Sequence, residues 1–213
     1  MNGSARPAYW SSAKRALAKS DATMARIIAE HPRVGLVSRG DAFSTLARSI
    51  VGQQISVKAA DAVWGRFCAS CGELTPKSVL RRRATTLRSC GLSERKVEYI
   101  RDLCDHFISG RVDPTRFARQ DDEAIIAELT DIRGIGRWTA EMFLIFNLLR
   151  PNVLPLDDLG LLRAVSLHYL DGEAITGREG RSRVEALATG WAPWRSVATW
   201  YLWRSLDPVP VEY

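Results

Sequence analysis

Apolar residues return along this chain every three or four positions, the period of a helix with one buried face. The stripe Val97, Ile100, Leu103, Cys104 and Phe107 shows it most clearly, with Ser93 placed to cap the helix that carries it. Extending the count predicts helices over about 8–19, 22–30, 42–51, 56–71, 76–81, 84–89, 94–109, 121–131, 136–149, 158–169, 180–189 and 194–205. Breaks fall at His31-Pro32, Arg39-Gly40-Asp41, Gly72, Gly91, Asp113-Pro114, Arg133 to Gly136, Pro151 to Pro155, Asp171-Gly172 and Ala192-Pro193, and Asp41 can cap the helix opening at Ala42. No segment sustains period-two alternation between hairpin turns, so the fold class is all-α. A repeat of solenoid period and low-complexity tracts are both lacking, which disfavours a repeat scaffold.

A chain of 213 residues suffices for one sizeable core, or for two small lobes sharing an interface. Its 46% hydrophobic and 25% charged residues are globular proportions, and no apolar run reaches the roughly 18 residues of a membrane span, so a soluble protein is expected. The opening MNGSARPAYWSSAKR lacks an apolar signal core, which places the four cysteines in a reducing cytosol. A net charge of +6 and a pI near 9.4 suit a polyanionic partner without proving one. Only five of the 30 basic residues are lysines, a bias that genome composition and phosphate recognition explain equally well. Cys68 and Cys71 form a CxxC, but Cys90 and Cys104 follow singly, and the pair ends an apolar helical pattern beside Gly72. Buried small side chains explain it better than zinc or redox chemistry. The run Arg81, Arg82, Arg83 reads as a solvated helix end, and the scattered His31, His106 and His168 carry no functional assignment.

Chemistry concentrates in two stretches. Leu129 to Glu141, LTDIRGIGRWTAE, joins two helical patterns through a Gly-Ile-Gly turn. Gly134 and Gly136 permit positive φ and close approach of a ligand, and the amides opening the next helix sit at the positive end of its dipole. Such a turn can grip a nucleic-acid phosphate, although an ordinary helical corner has the same outline. After the apolar MFLIFNLL comes NVLPLDDLGLLRAV, which sets Asp157 and Asp158 at a helix start. One aspartate is enough for a cap, and two exceed that need. Lying one helix beyond the turn, they suggest an enzyme directed at nucleotides.

Four blocks in order, RSIVGQQIS, LTDIRGIGRWTAE, LPLDDLGLLRA and WAPWRSVATWYLW, make residues 40–206 resemble the helix-hairpin-helix (HhH-GPD) DNA glycosylases. The match is best to their alkylation-repair branch, DNA-3-methyladenine glycosylase II of AlkA type, in a compact form without the N-terminal α/β domain. The resemblance implies a helix-hairpin-helix glycosylase fold of two helical lobes with the active-site cleft between them. It implies one domain, 1–213, in which 1–40 pack on the second lobe, about 41–150 form the lobe ending in the hairpin, and about 151–213 complete the other.

It further implies that Asp158 is the catalytic carboxylate, with Asp157 a neighbour or cap. Asp158 would stabilise the oxocarbenium-like charge of the departing sugar and orient or deprotonate water. Trp138 and Trp203 would wall the base pocket, joined by Met142, where AlkA-type enzymes carry an aromatic, and by Gln53, which contacts the lesion or supports its loop. Gln54 would be the wedge that fills the stack when the base is flipped, a site of leucine in AlkA-type enzymes. The phosphate-binding hairpin would comprise Arg133, Gly134, Ile135, Gly136, Arg137 and Thr139. Carbonyls of Thr130, Ile132 and Ile135 would hold a structural Na+ or K+, with no cofactor required for catalysis. Bifunctional relatives such as endonuclease III place a lysine where Trp138 stands, and their four-cysteine iron–sulfur loop has no counterpart after Cys104. A monofunctional hydrolase without AP lyase activity is expected. Alkylated purines already carry positive charge, so aromatic faces can select them. The partner would be double-stranded DNA bearing 3-methyladenine, 7-methylguanine or deaminated purines, the alternatives being a non-catalytic binder of DNA structure or a glycosylase for another lesion. A monomer is expected, with no membrane and no obligatory protein partner, in the bacterial cytoplasm at the nucleoid. Of the aromatics Trp191, Trp194, Trp200 and Tyr201 near Trp203, most are expected to pack the core.

Overall fold

A computed structural model describes residues 6–32, 35–38 and 40–206, so Arg39 of the expected second break lies outside the described residues. Among these the chain is all-α, with no strand. Its helices are α1 (Trp10–Ser20), α2 (Ala22–Glu30), α3 (Ala42–Gly52), α4 (Val57–Cys71), α5 (Pro76–Leu80), α6 (Ala84–Ser89), α7 (Glu94–Ile108), α8 (Asp122–Thr130), α9 (Arg137–Phe146), α10 (Leu159–Tyr169), α11 (Gly177–Ala188) and α12 (Arg195–Leu206). Side-chain caps explain most starts. Asp21, Asp41, Ser56, Ser93, Asp121 and Asp158 each accept the amide three residues on, and Thr75 exchanges hydrogen bonds with Ser78 in a reciprocal box before Pro76.

The described residues form two compact units, and the chain passes from one to the other within α9. One unit combines residues up to 38 with those from 144 onward. Here α12 packs on α1, α2 and α10. Its core is aromatic: Trp10 meets Trp200 edge-on at 5.3 Å and stacks on Tyr201 at 5.8 Å. Asp21 caps α2 with one oxygen and with the other accepts the Tyr169 hydroxyl at 2.7 Å and the Trp191 indole at 3.1 Å. Trp10, Trp191 and Trp200 are buried, as expected of a packing role.

In the second unit, residues 40–143, α7 is the central helix and packs on α3, α5 and α6. Val97, Ile100, Leu103 and Cys104 of the stripe read from the sequence are buried, joined by His106, and the half-buried Phe107 meets Phe43 edge-on at 5.4 Å. Cys71, Cys90 and Cys104 are buried, and Cys68 is half-buried. Burial pushes the Cys104 thiol up to about 12, so it behaves as a small apolar side chain.

Three expectations need correction. α9 stops at Phe146, not 149: Leu149 takes φ +55° and the Arg150 amide turns back to the Leu144 carbonyl at 2.9 Å. The apolar run MFLIFNLL hid that end because its composition does not change there. α11 opens at Gly177, three residues early, since the polar GREG reads as loop. Phe117–Arg119 and Thr189–Trp191 are short 3-10 turns, too brief to leave a period in the sequence.

Candidate active site

The hairpin begins where α8 ends. The amides of Ile132 and Ile135 bond back to the carbonyls of Leu129 (3.2 Å) and Ile132 (3.1 Å), and both isoleucines are buried as anchors. Gly134 takes φ +86°, and a Cβ there would land inside the Tyr99 ring, so glycine is required twice over. Gly136 does not adopt positive φ, contrary to expectation; its carbonyl accepts the Ala140 amide at 3.0 Å and opens α9. Its role is the helix start, not a left-handed turn.

Polar side chains clamp this main chain from several directions. Gln53 Nε2 donates to the Gly134 carbonyl at 2.8 Å, and Asp102 Oδ2 accepts the Arg133 amide at 2.8 Å. The buried His106 lies 2.8 Å from the Asp102 carbonyl through Nδ1 and 3.0 Å from Asp131 Oδ2 through Nε2. The exposed Arg133 guanidinium pairs with Glu98 at 3.5 Å. Arg137 forks onto Glu123 at 2.5 and 2.9 Å and reaches Glu141 at 3.0 Å, which holds Glu123 below the usual carboxylate range and drives Arg137 further up. Trp138 and Thr139 are half-buried in the first turn of α9, and Met142 is buried one turn later. Gln54 is exposed at φ +59°, a left-handed conformation that a non-glycine residue adopts at a cost and that marks strained functional loops.

In the aromatic unit, Asp158 is the N-cap of α10 and almost fully buried. Its Oδ1 accepts the Leu161 amide at 2.6 Å and the Trp203 indole N–H at 2.7 Å. Trp203 stacks nearly parallel on Phe146, with centroids 5.7 Å apart and planes 12° apart. A Cβ at Gly160 would come within 3.0 Å of Trp203 Cδ1 and 3.1 Å of Asp158 Oδ1, so the absent side chain is what lets the indole reach the carboxylate. Asp157 is exposed and pairs with Arg181 at 2.9 Å, so it is a neighbour and not the cap. The proline-rich loop ahead is pinned by buried Ser196, whose hydroxyl donates to the Arg150 carbonyl at 2.6 Å and accepts the Val153 amide at 2.9 Å.

Sequence reasoning missed Gly160, Phe146, Tyr99 and His106. Only Gly160 left a signal: glycine in a helix's first turn forfeits about 1 kcal/mol against alanine and so points to a close approach. Among the described residues no group of three or more His, Cys, Asp or Glu could hold a metal ion, and no helix is long and apolar enough to cross a membrane. The glycine hairpin in one unit and the indole-held buried aspartate in the other are thus both carried on helices.

The chain belongs to the HhH-GPD superfamily of base excision DNA repair proteins, whose profile matches residues 47–193. It is 33% identical over 174 residues to DNA-3-methyladenine glycosylase 1 of Schizosaccharomyces pombe, covering 79% of this chain and 74% of that one. Two solved structures are similar throughout. The Bacillus halodurans DNA-3-methyladenine glycosidase matches at 38% identity and TM-score 0.82, over 91% of this chain and 88% of that one. The Schizosaccharomyces pombe 3-methyladenine DNA glycosylase in complex with abasic DNA matches at 31% identity and TM-score 0.74, over 95% and 98%.

Proposed function

We propose that this protein is a monofunctional DNA glycosylase that hydrolyses the N-glycosidic bond of alkylated purines, 3-methyladenine first among them, in double-stranded DNA. The observation that carries the reading is Asp158, a buried carboxylate whose orientation is fixed by the Trp203 indole and a helix-opening amide. A fixed negative charge beside the sugar lowers the energy of the oxocarbenium-like state, because in a water-poor site it acts without reorganising. Cationic bases are good leaving groups that depart with little acid assistance, which favours alkylated purines as substrates. Trp138, Trp203, Met142 and Gln53 line the base pocket in this reading, and Gln54 fills the vacated stack. The hairpin from Arg133 to Thr139 grips the phosphate through its backbone, the Arg137 guanidinium being committed to Glu123 and Glu141.

The carbonyls of Thr130, Ile132 and Ile135 are neutral oxygens at a helix end and in its turn, a donor set that fits a monovalent cation better than a divalent one. Such an ion would add positive charge for the phosphate, and the hydrolysis requires no cofactor. The protein acts as a monomer in the cytoplasm, at the nucleoid. Incubation with methylated duplex DNA tests the reading: free 3-methyladenine is expected, with an uncut strand and no borohydride-trapped adduct on abasic DNA. Release of no damaged base, or a strong covalent adduct, overturns it.

A further inference from the structure

Besides packing the core, α7 carries a row of side chains that end on the loop after α3 or on the hairpin and the helix end that leads into it. Lys96 Nζ donates to the carbonyls of Val51 at 2.7 Å and Gln53 at 2.8 Å, where α3 ends and the loop bearing Gln54 begins. Three residues on, the Tyr99 ring fills the space beneath Gly134. Asp102, three further, takes the Arg133 amide, and His106, four further, meets Asp131. These spacings put the four side chains along one side of the helix over about 15 Å. The loops are also tied directly, because the residue whose carbonyl Lys96 holds, Gln53, sends its own side chain to the Gly134 carbonyl.

A lysine at a helix C-terminus is an ordinary cap. Two features exceed capping. Burial pushes the Lys96 pKa below that of an ordinary lysine, so the ammonium is held at a desolvation cost. And the bonds do not end at α3 but continue through Gln53 into the hairpin. Resting on the function proposed above, we propose that α7 is a splint fixing the distance and register between the Gln54 loop and the hairpin. Lys96, Asp102 and His106 are its positioning residues, and they govern extrusion of the base, not the hydrolytic step. A phosphate gripped by the hairpin is then at a set offset from the side chain that enters the stack.

The test uses the full chain and a duplex carrying a stable abasic-site analogue flanked by 2-aminopurine, whose emission rises when its stacking is lost. Lys96→Met and isosteric Asp102→Asn are expected to bind this duplex yet reach less than about half of the wild-type emission at saturation, and to release 7-methylguanine from duplex DNA about tenfold to a hundredfold more slowly. Lys96→Arg, which can still donate to both carbonyls, is expected to restore both readouts. Should Lys96→Met melt below the assay temperature, Asp102→Asn carries the test. Full emission overturns the splint, whether release stays fast or falls; a fall in that case assigns the residues to hydrolysis. If the wild type releases no base, the glycosylase reading fails, while the abasic duplex, which needs no cleavage, still decides the splint.

Discussion

The hairpin and the aspartate are immobilised by opposite means. Around the hairpin, the side chains of Gln53 and Asp102 hold main-chain groups, and in the function proposed above the main chain is also what meets the phosphate. Around Asp158, rings and a missing side chain hold a side chain: the Trp203 indole donates to it, Phe146 supports the indole, and Gly160 leaves room. A phosphate grip must present amides, so it needs a rigid backbone; a charge that stabilises a transition state must sit in a low-dielectric pocket, so it needs an apolar frame. The two jobs should therefore separate under mutation, one into affinity and one into rate.

The strongest attack on that separation is Asp158→Asn. Base release under single-turnover conditions is expected to fall by about 10²–10³ or more, while affinity for an abasic duplex stays within about threefold. A matching collapse of affinity would merge the two regions into one. Gly134→Ala strikes the other side: backbone strain of about 1–2 kcal/mol plus the collision with Tyr99 should weaken binding to any duplex about tenfold or more. Adding Tyr99→Ala should recover only the steric share, which a double-mutant cycle of affinities would read out. Smaller is the effect of Trp203→Phe, which keeps a ring over Phe146 but removes one charge-assisted hydrogen bond of about 1.5–3 kcal/mol, partly replaced by water. Release should slow about tenfold at unchanged affinity, and an affinity change without a rate change would contradict the division.

The smallest effect is on stability at alkaline pH. Burial raises the hydroxyls of Tyr9 (to about 12), Tyr169 and Tyr201, all in the aromatic unit. A folded-state value above the unfolded 10.0 means the contribution is intact below that pH and is lost as the pH climbs toward about 12. Amide exchange at increasing pH, corrected for intrinsic rates, should show protection falling first in α1, α10 and α12, and Tyr9→Phe should delay it.

What the sequence disclosed follows the range of each signal. Capping aspartates and serines, the stripe on α7 and the glycine turn are written within a few residues, and helices such as α3 and α7 stand where those patterns put them. Asp158 and Trp203 were legible as a pair through resemblance, but not their contact, which joins positions 45 apart. The brace from Gln53 to Gly134 spans 81 positions, and neither end advertises the other. His106 looked idle for the same reason: its partner Asp131 is 25 residues away. Arg137 is similar: its place in the turn is written locally, while its fork onto Glu123, 14 positions away, is not.

Gly160 offers a way to judge other chains of this architecture. The hydrogen at this position leaves the indole and the carboxylate room to meet, so a gain of volume here presses on both at once. A chain that retains the aspartate and tryptophan but carries a bulkier residue between them would look catalytically complete by its polar groups alone, yet should be a DNA-binding protein with impaired excision. On the function proposed above, competence to excise a base is thus inscribed in an empty space as much as in a charge.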